Sequence, residues 1–260
     1  MKNFLKIQFI ILLFCCFLSL DLCAQADLKV GHFQLRSTLS ELLDDTSNHP
    51  YTGIIDDEEI IEWQVYVPNN YQNDRPAGIL VYISPTNSGE IPNHWLSLME
   101  KYNLIWVAAN QSGNRINSKI RLLKAILATI VIDNNYQIDL DRVYVSGFSG
   151  GGRMASISAT LLPGLFKGAI YHCGVNFWKD VSADKISLIK NNRFVFITGR
   201  KDFNLDDTKQ VYRKYKKAGV KHIKLIINPV MGHSNPNYKD FDNALKFLTD
   251  VIKQKKTDYQ

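Results

Sequence analysis

The chain has 260 residues and a formal net charge of +6 at pH 7, and it is 45% hydrophobic, 22% charged and 11% aromatic. These proportions are those of a globular protein and exclude a disordered, collagen-like or coiled-coil chain. The basic residues are dispersed and the four cysteines lack zinc-ribbon spacing, so the sequence predicts no nucleic-acid partner and no metal site.

The first 26 residues have the pattern of a secretory signal peptide. Two lysines precede an apolar run over residues 9–20, and an A-x-A cleavage site precedes Asp27. A structural helix, a retained anchor and lipidation at Cys23 are the alternatives, but the apolar run is shorter than the about 20 residues of a membrane span. The sequence therefore predicts a signal peptide over residues 1–26, a secreted or periplasmic mature protein, and no stable membrane insertion after cleavage.

The remaining residues, 27–260, show no internal repeat or composition break, which favours a single domain. Residues 62–67 alternate like a half-exposed strand, and continuously apolar runs, typical of strands buried on both faces, follow. These runs are residues 79–83, 104–109, 142–146, 168–173, 194–198 and 223–227.

Segments between these runs carry apolar residues at helical spacing, most clearly over residues 120–131, 211–215 and 241–252. Strands that alternate with helices predict an α/β fold with a mostly parallel sheet and helices on both faces. In such folds the functional residues follow the carboxyl ends of the strands.

A Gly-Phe-Ser-Gly-Gly motif at residues 147–151 directly follows one of these strands and precedes a predicted helix. This is the G-x-S-x-G pattern of a nucleophile elbow, whose tight turn requires Gly147 and Gly151 and exposes the Ser149 hydroxyl. The N–H of Gly150, at the start of the helix, is then a candidate oxyanion donor. A glycine-rich phosphate loop is the competing interpretation, but no Lys-Ser/Thr pair follows the glycines.

An acidic residue, Asp202, follows the strand at residues 194–198 and could orient a catalytic imidazole. Its neighbours Asp206 and Asp207 are rivals, but both fit the first turn of a helix, where acidic residues are common for electrostatic reasons. Asp202 is therefore the candidate acid.

One of the six histidines, His233, lies in the loop after the last predicted strand. It is the candidate general base, because a base must overhang the carboxyl end of a strand. The chain order Ser149, Asp202, His233 is typical of the α/β-hydrolase fold and differs from the order in other serine-triad folds.

The segment DRVYVSGFSGGGRMAS at residues 141–156, with the later ITGRKDF and MGHS segments, resembles the secreted polyhydroxybutyrate depolymerase and feruloyl-esterase-like group of hydrolases. The resemblance implies an α/β-hydrolase fold with Ser149 as nucleophile, Asp202 as acid and His233 as base. It further implies a carboxylic ester hydrolase that forms an acyl-enzyme on a small-molecule or polymeric ester, without a cofactor. A peptidase of the prolyl-oligopeptidase type and a non-catalytic binding protein on a hydrolase scaffold remain alternatives.

The sequence departs from many members of this group after the strand at residues 79–83, where Ser84-Pro85 replaces His-Gly. Because proline has no N–H, Thr86 becomes the expected second oxyanion donor, and Asn87 could assist with its side chain.

Two further loops should rim the site, because they leave strands at the same edge of the sheet. They supply Asn114, Asn176 and Trp178 as candidate substrate-binding residues. The short distance from Trp178 to the next strand leaves space only for a minimal lid.

Overall fold

The computed structural model describes residues 28–43, 51–176 and 187–250. The predicted signal peptide, Trp178 and the predicted minimal lid therefore lie outside the described residues.

The described residues form an eight-stranded sheet with the strand order β1-β2-β4-β3-β5-β6-β7-β8. The β1–β2 and β2–β4 pairs are antiparallel, and every other neighbouring pair is parallel. The strands are β1 (Gly31–Ser37), β2 (Ile61–Val67), β3 (Ala77–Ile83), β4 (Leu104–Ala109), β5 (Ile138–Phe148), β6 (Gly168–His172), β7 (Arg193–Gly199) and β8 (His222–Asn228). All seven predicted strands are present, but β2, which the sequence predicted as half-exposed, is buried at every position except Glu62, because β1 and β4 pair with it on both sides.

Helices cover both faces of this sheet, as the alternating pattern predicts. They are α1 (Leu39–Leu42), α2 (Leu96–Tyr102), α3 (Ser118–Asp133), α4 (Gly150–Leu161), α5 (Leu205–Lys217) and α6 (Tyr238–Thr249). Helices α3, α4 and α5 pack in the hydrophobic cluster on one face, and α2 and α6 pack in the cluster on the other face. No helix among residues 28–43, 51–176 and 187–250 is long and apolar enough to cross a membrane.

The continuously apolar strands are buried on both faces, except β8, which lies at the edge of the sheet and is only partly buried. Every residue of β3 and β4 is buried, and the aromatic side chains of Trp95, Trp106 and Phe241 pack together above them without exposure to solvent. Burial of each large apolar side chain stabilises the fold by about 1.5–3 kcal/mol. This rigid sheet fixes the carboxyl ends of β5, β7 and β8 at one edge, where the three candidate catalytic residues lie.

Candidate active site

Ser149 stands between the end of β5 and the start of α4, in a backbone conformation with φ of 55° and ψ of −118°. Its N–H donates to the His172 carbonyl at 2.8 Å, which ties the turn to β6. A β-carbon on Gly147 would overlap the Gly151 carbonyl, and one on Gly151 would overlap the Ile83 carbonyl of β3. The turn therefore requires glycine at both positions and leaves the Ser149 side chain above the sheet.

The side chain of His233 joins Ser149 to Asp202. Its Nε2 lies 2.9 Å from Ser149 Oγ, and its Nδ1 lies 2.8 Å from Asp202 Oδ1. Because a carboxylate can only accept a hydrogen bond, Nδ1 carries the proton and Nε2 is free to accept the hydroxyl proton of Ser149. The structure thus brings the three predicted residues into one hydrogen-bonded chain, whereas Asp206 and Asp207 lie in the first turn of α5.

Asp202 is held as a carboxylate. Burial raises the pKa of this carboxyl, but hydrogen bonds from His233, the Asn204 N–H and the Thr198 hydroxyl outweigh the effect, so the pKa lies below its usual value. An ionised Asp202 fixes the imidazole tautomer and stabilises the positive charge that the ring gains when it takes a proton.

Two aromatic rings enclose the imidazole of His233. Phe148 lies 4.9 Å from it between ring centroids, and Phe203 stacks on it at 4.1 Å with an interplanar angle of 28°. Phe203 is 76% exposed, so its ring also faces solvent beside the nucleophile. Phe203 was not predicted from the sequence, since a single aromatic residue after the acid matches no motif.

A thiol borders the same cluster. Ligand atoms of Cys173, Asp202 and His233 lie within 4.8 Å of one another, which is compatible with the spacing of a metal site. Burial and then the neighbouring Asp202 raise the pKa of the Cys173 thiol to about 12. A metal ion binds a cysteine as the thiolate, and the raised pKa keeps Cys173 protonated as the thiol. Cys173, Asp202 and His233 are therefore poorly suited to bind a metal, whereas His233 and Asp202 are suited to accept the proton of Ser149.

The side of the site that could receive an oxyanion is formed by Gly150 and two loops. As the first residue of α4, Gly150 has an N–H without a carbonyl partner in the helix. The Thr86 N–H, which the sequence predicts as the second donor, donates to the Ser84 hydroxyl at 3.1 Å. A substrate oxygen would have to compete with that hydroxyl for the Thr86 N–H.

Asn114 lies closer to Gly150 than the sequence indicated. A β-carbon on Gly150 would overlap the Asn114 carboxamide, so this amide lies directly against the first residue of α4. Within the described part of the chain the Asn114 side chain has no hydrogen-bond partner. The carboxamide of Asn87, in contrast, is engaged, because its oxygen accepts from the Gly113 N–H at 3.3 Å.

Asn176 follows β6 on the other side of the nucleophile. Its N–H donates to the Ser156 hydroxyl of α4 at 3.2 Å, and the nearby Gly174 packs against the Ser149 backbone. The loop after β6, which the sequence predicted to border the site, therefore does so over residues 173–176.

Two cavities flank the loop that carries Thr86. The larger, about 500 Å³, lies between this loop and Phe148, and Asn235 lines its wall. The smaller, about 300 Å³, lies between the same loop and Asn114. Phe148, next to Ser149 in the chain, lines the larger cavity, and Asn114, which lies against Gly150, lines the smaller one, so both cavities lie near the nucleophile.

Comparisons with known proteins find similarity to hydrolases. The model of the prolyl oligopeptidase family matches residues 125–189. Among curated proteins, acyl-protein thioesterase 1 of Debaryomyces hansenii is 23% identical over 171 residues, which are 65% of this chain and 71% of that protein. A poly(3-hydroxybutyrate) depolymerase of Ralstonia pickettii is 32% identical over 72 residues, 28% of this chain and only 15% of that protein.

Among solved structures, a ferulic acid esterase superposes with a TM-score of 0.62 at 14% identity and covers 85% of this chain and 99% of that one. This likeness confirms the predicted fold class, and the family match together with the curated relatives confirms the predicted class of enzyme. The chain is a serine hydrolase with the α/β-hydrolase fold.

Proposed function

We propose that this protein is a carboxylic ester hydrolase in which Ser149 forms an acyl-enzyme. The observation that carries the proposal is the continuous hydrogen-bonded chain from Ser149 Oγ through both ring nitrogens of His233 to Asp202. A serine becomes nucleophilic when a base accepts its proton and a third group orients that base.

The proposed reaction has two similar halves. His233 Nε2 takes the proton of Ser149 as Oγ attacks the ester carbonyl carbon, and the Gly150 N–H receives the negative oxygen with Thr86 or Asn114. The tetrahedral intermediate then collapses, and His233 gives its proton to the departing alcohol. Water repeats the sequence on the acyl-enzyme and releases the acid, so every step uses groups of this chain and water and the proposal includes no cofactor.

The proposed substrate is an ester, small or polymeric. The names of the relatives support this class, since they include a thioesterase, a depolymerase and a ferulic acid esterase. We propose that four residues contact the substrate, because each lies in a loop that follows a strand at the edge of the sheet where Ser149 lies. They are Asn87, Asn114, Asn176 and Trp178.

The proposal includes export. The pattern of residues 1–26 supports it, and N-terminal sequencing of the protein from its native cell tests it. We expect a mature chain that begins at Asp27 in an exported fraction. An intact N-terminus in a cytoplasmic fraction would contradict export without affecting the proposed chemistry.

A second candidate is a peptidase, which the match of residues 125–189 to the prolyl oligopeptidase family supports. Peptidases and esterases can share the same nucleophile, acid and base. The scissile bond therefore distinguishes them, and each purified preparation should be assayed on a panel of esters and a panel of peptides.

The proposed chemistry is tested by labelling with a fluorophosphonate, which reacts with activated serines. We expect the wild-type protein to be labelled at Ser149 and to hydrolyse p-nitrophenyl acetate. Ser149→Ala should lose both properties, and His233→Ala should lose about 1,000-fold or more in turnover while it retains the wild-type circular dichroism spectrum. A folded wild-type protein with neither labelling nor turnover would favour the non-catalytic binding protein.

A further inference from the structure

Arg121, on the first turns of α3, is a buried cation that the proposed chemistry does not yet use. The residue is 5% exposed, and burial lowers the pKa of its guanidinium. Among the described residues no carboxylate pairs with it; instead its Nε donates to the Ser112 carbonyl at 2.8 Å and its second terminal nitrogen donates to the Ser84 carbonyl at 3.0 Å. Burial of a charge without a counter-ion costs free energy, so these two contacts require an explanation.

The two carbonyls belong to the two loops that face Gly150. Ser84 begins the loop after β3, two residues before Thr86, and Ser112 belongs to the loop after β4, two residues before Asn114. The Asn114 N–H also donates to the Pro85 carbonyl at 3.0 Å, so the loops run side by side. A planar guanidinium with donors in a fixed geometry sets the distance between two carbonyls more strictly than a single ammonium does.

From this geometry we infer that Arg121 is a positioning residue for the oxyanion side of the site. It holds the loop of Thr86 and the loop of Asn114 at one separation, so that their donors stay directed toward the space beside the Gly150 N–H. The inference rests on the proposed function, because it assigns Arg121 an effect on the transition state of acyl transfer. Its buried charge costs stability and increases the precision of the site.

Lys124 provides a matched control. It lies one turn further along the same helix, is also 5% exposed, and burial lowers its pKa as well. Its Nζ donates to one carbonyl, that of Gln111 at 3.3 Å in the loop after β4, and among the described residues it makes no hydrogen bond to the loop after β3. A variant of Lys124 therefore removes a buried cation from α3 without release of Ser84.

The test compares Arg121→Lys, Arg121→Ala and Lys124→Met with p-nitrophenyl acetate as substrate. Because misplaced oxyanion donors act on the transition state, we expect kcat to fall about 10-fold in Arg121→Lys and about 100-fold in Arg121→Ala. In both variants KM should change by less than about 3-fold, since ground-state contacts persist. In Lys124→Met the melting temperature should fall, with kcat within about 2-fold of the wild type.

Chemical rescue separates positioning from general stability. Addition of guanidinium at concentrations well below those that denature proteins should restore part of the kcat of Arg121→Ala, because the ion can occupy the space and rejoin the two carbonyls. The same addition should leave the wild-type protein and Lys124→Met unchanged. If Arg121→Ala does not fold, Arg121→Lys, which keeps the charge, still provides the comparison of kcat with KM.

Several results would overturn the inference. An Arg121→Lys protein with wild-type kcat would do so while the proposed function stands, and so would equal losses of kcat in the Arg121 and Lys124 variants. A wild-type protein that is neither labelled at Ser149 nor active on esters would instead overturn the proposed function, and this inference with it.

Discussion

Ser149 occupies a backbone conformation that an L-residue rarely adopts, at a cost of about 1–3 kcal/mol. The cost is sustained because the surrounding contacts determine the turn: the Ser149 N–H is bonded to β6, and the Gly151 α-carbon lies against β3. Strain of this kind holds the hydroxyl in one position relative to His233. A nucleophile that is already aligned loses little entropy when it reacts.

Also at the scale of single residues, the assignment of Asp202 rather than Asp206 as the catalytic acid can be tested by substitution of each with asparagine. In Asp202→Asn the side chain can donate to Nδ1, which favours the wrong imidazole tautomer, so we expect turnover to fall by about 10,000-fold. Asp206→Asn is the control, because Asp206 lies in the first turn of α5 and its ion-pair partner among the described residues is Lys209, at 3.9 Å. The turnover of both variants is measured by steady-state hydrolysis of p-nitrophenyl acetate. Equal losses of turnover would show that Asp202 is not the catalytic acid.

The depressed pKa of Asp202 also predicts how stability depends on pH. A carboxyl whose folded pKa lies below its usual value of 3.8 stabilises the fold above that value, and this contribution is lost as the pH falls through the folded pKa. The measurement is the free energy of unfolding from urea melts at about pH 5 and about pH 3. We expect this free energy to fall between the two pH values in the wild type, and to fall less in Asp202→Asn. Identical decreases would show that Asp202 is not stabilised as the carboxylate.

At the scale of elements, the close approach of β3, β5 and α4 depends on the absence of side chains in the elbow. Gly151→Ala would drive a β-carbon into the Ile83 carbonyl, so we expect a loss of about 1–3 kcal/mol in the free energy of unfolding together with a loss of activity. Gly164→Ala is a suitable control, because a β-carbon there would have no neighbour within 4 Å. Thermal melts of both proteins should differ clearly, and a stable, active Gly151→Ala would contradict the packing described here.

The elements that the sequence predicted are those whose burial leaves a simple pattern. Strands β3, β4, β6 and β7 appear as apolar runs because nearly all of their residues are buried between helices. Strand β8 also appears as an apolar run although it lies at the edge of the sheet and is only partly buried. Strand β1 was missed, because it lies at the opposite edge and only Phe33 in it is buried. Helix α2 was missed because its seven residues are too short to show a period.

Candidate site residues with a fixed relation to a strand end were predictable, and those that meet only through tertiary contact were not. Ser149, Asp202 and His233 each follow a strand, and the order of the strands brings them together. Arg121 resembles an ordinary polar position of a helix, and only the packing of α3 against both loops shows that it is buried. The bond from the Thr86 N–H to Ser84 depends on a side-chain rotamer that no spacing encodes.

At the scale of the whole molecule, the described cavities limit the acyl groups that can be accommodated. The two cavities that flank the Thr86 loop near the nucleophile measure about 500 and 300 Å³ and are open to solvent, and their linings combine polar residues such as Ser84 and Asn114 with apolar residues such as Ile91 and Ile116. A preference for long fatty chains requires an apolar channel, because each buried methylene contributes about 0.8 kcal/mol only when it leaves water for an apolar surface. Neither cavity is an enclosed apolar channel, since both are open to solvent.

We therefore expect p-nitrophenyl acetate and butyrate to be hydrolysed with higher kcat/KM than the palmitate. Each added methylene should bring little gain, because an acyl chain that lies in an open cavity keeps much of its surface in water. Rates measured across acyl chains of increasing length, with detergent held constant and Ser149→Ala as the blank, provide the comparison. A steady rise toward palmitate would reveal an enclosed acyl channel and contradict this view of the site. Cleavage of peptides without turnover of any ester would instead support the peptidase candidate, because the same nucleophile and base would then act on an amide.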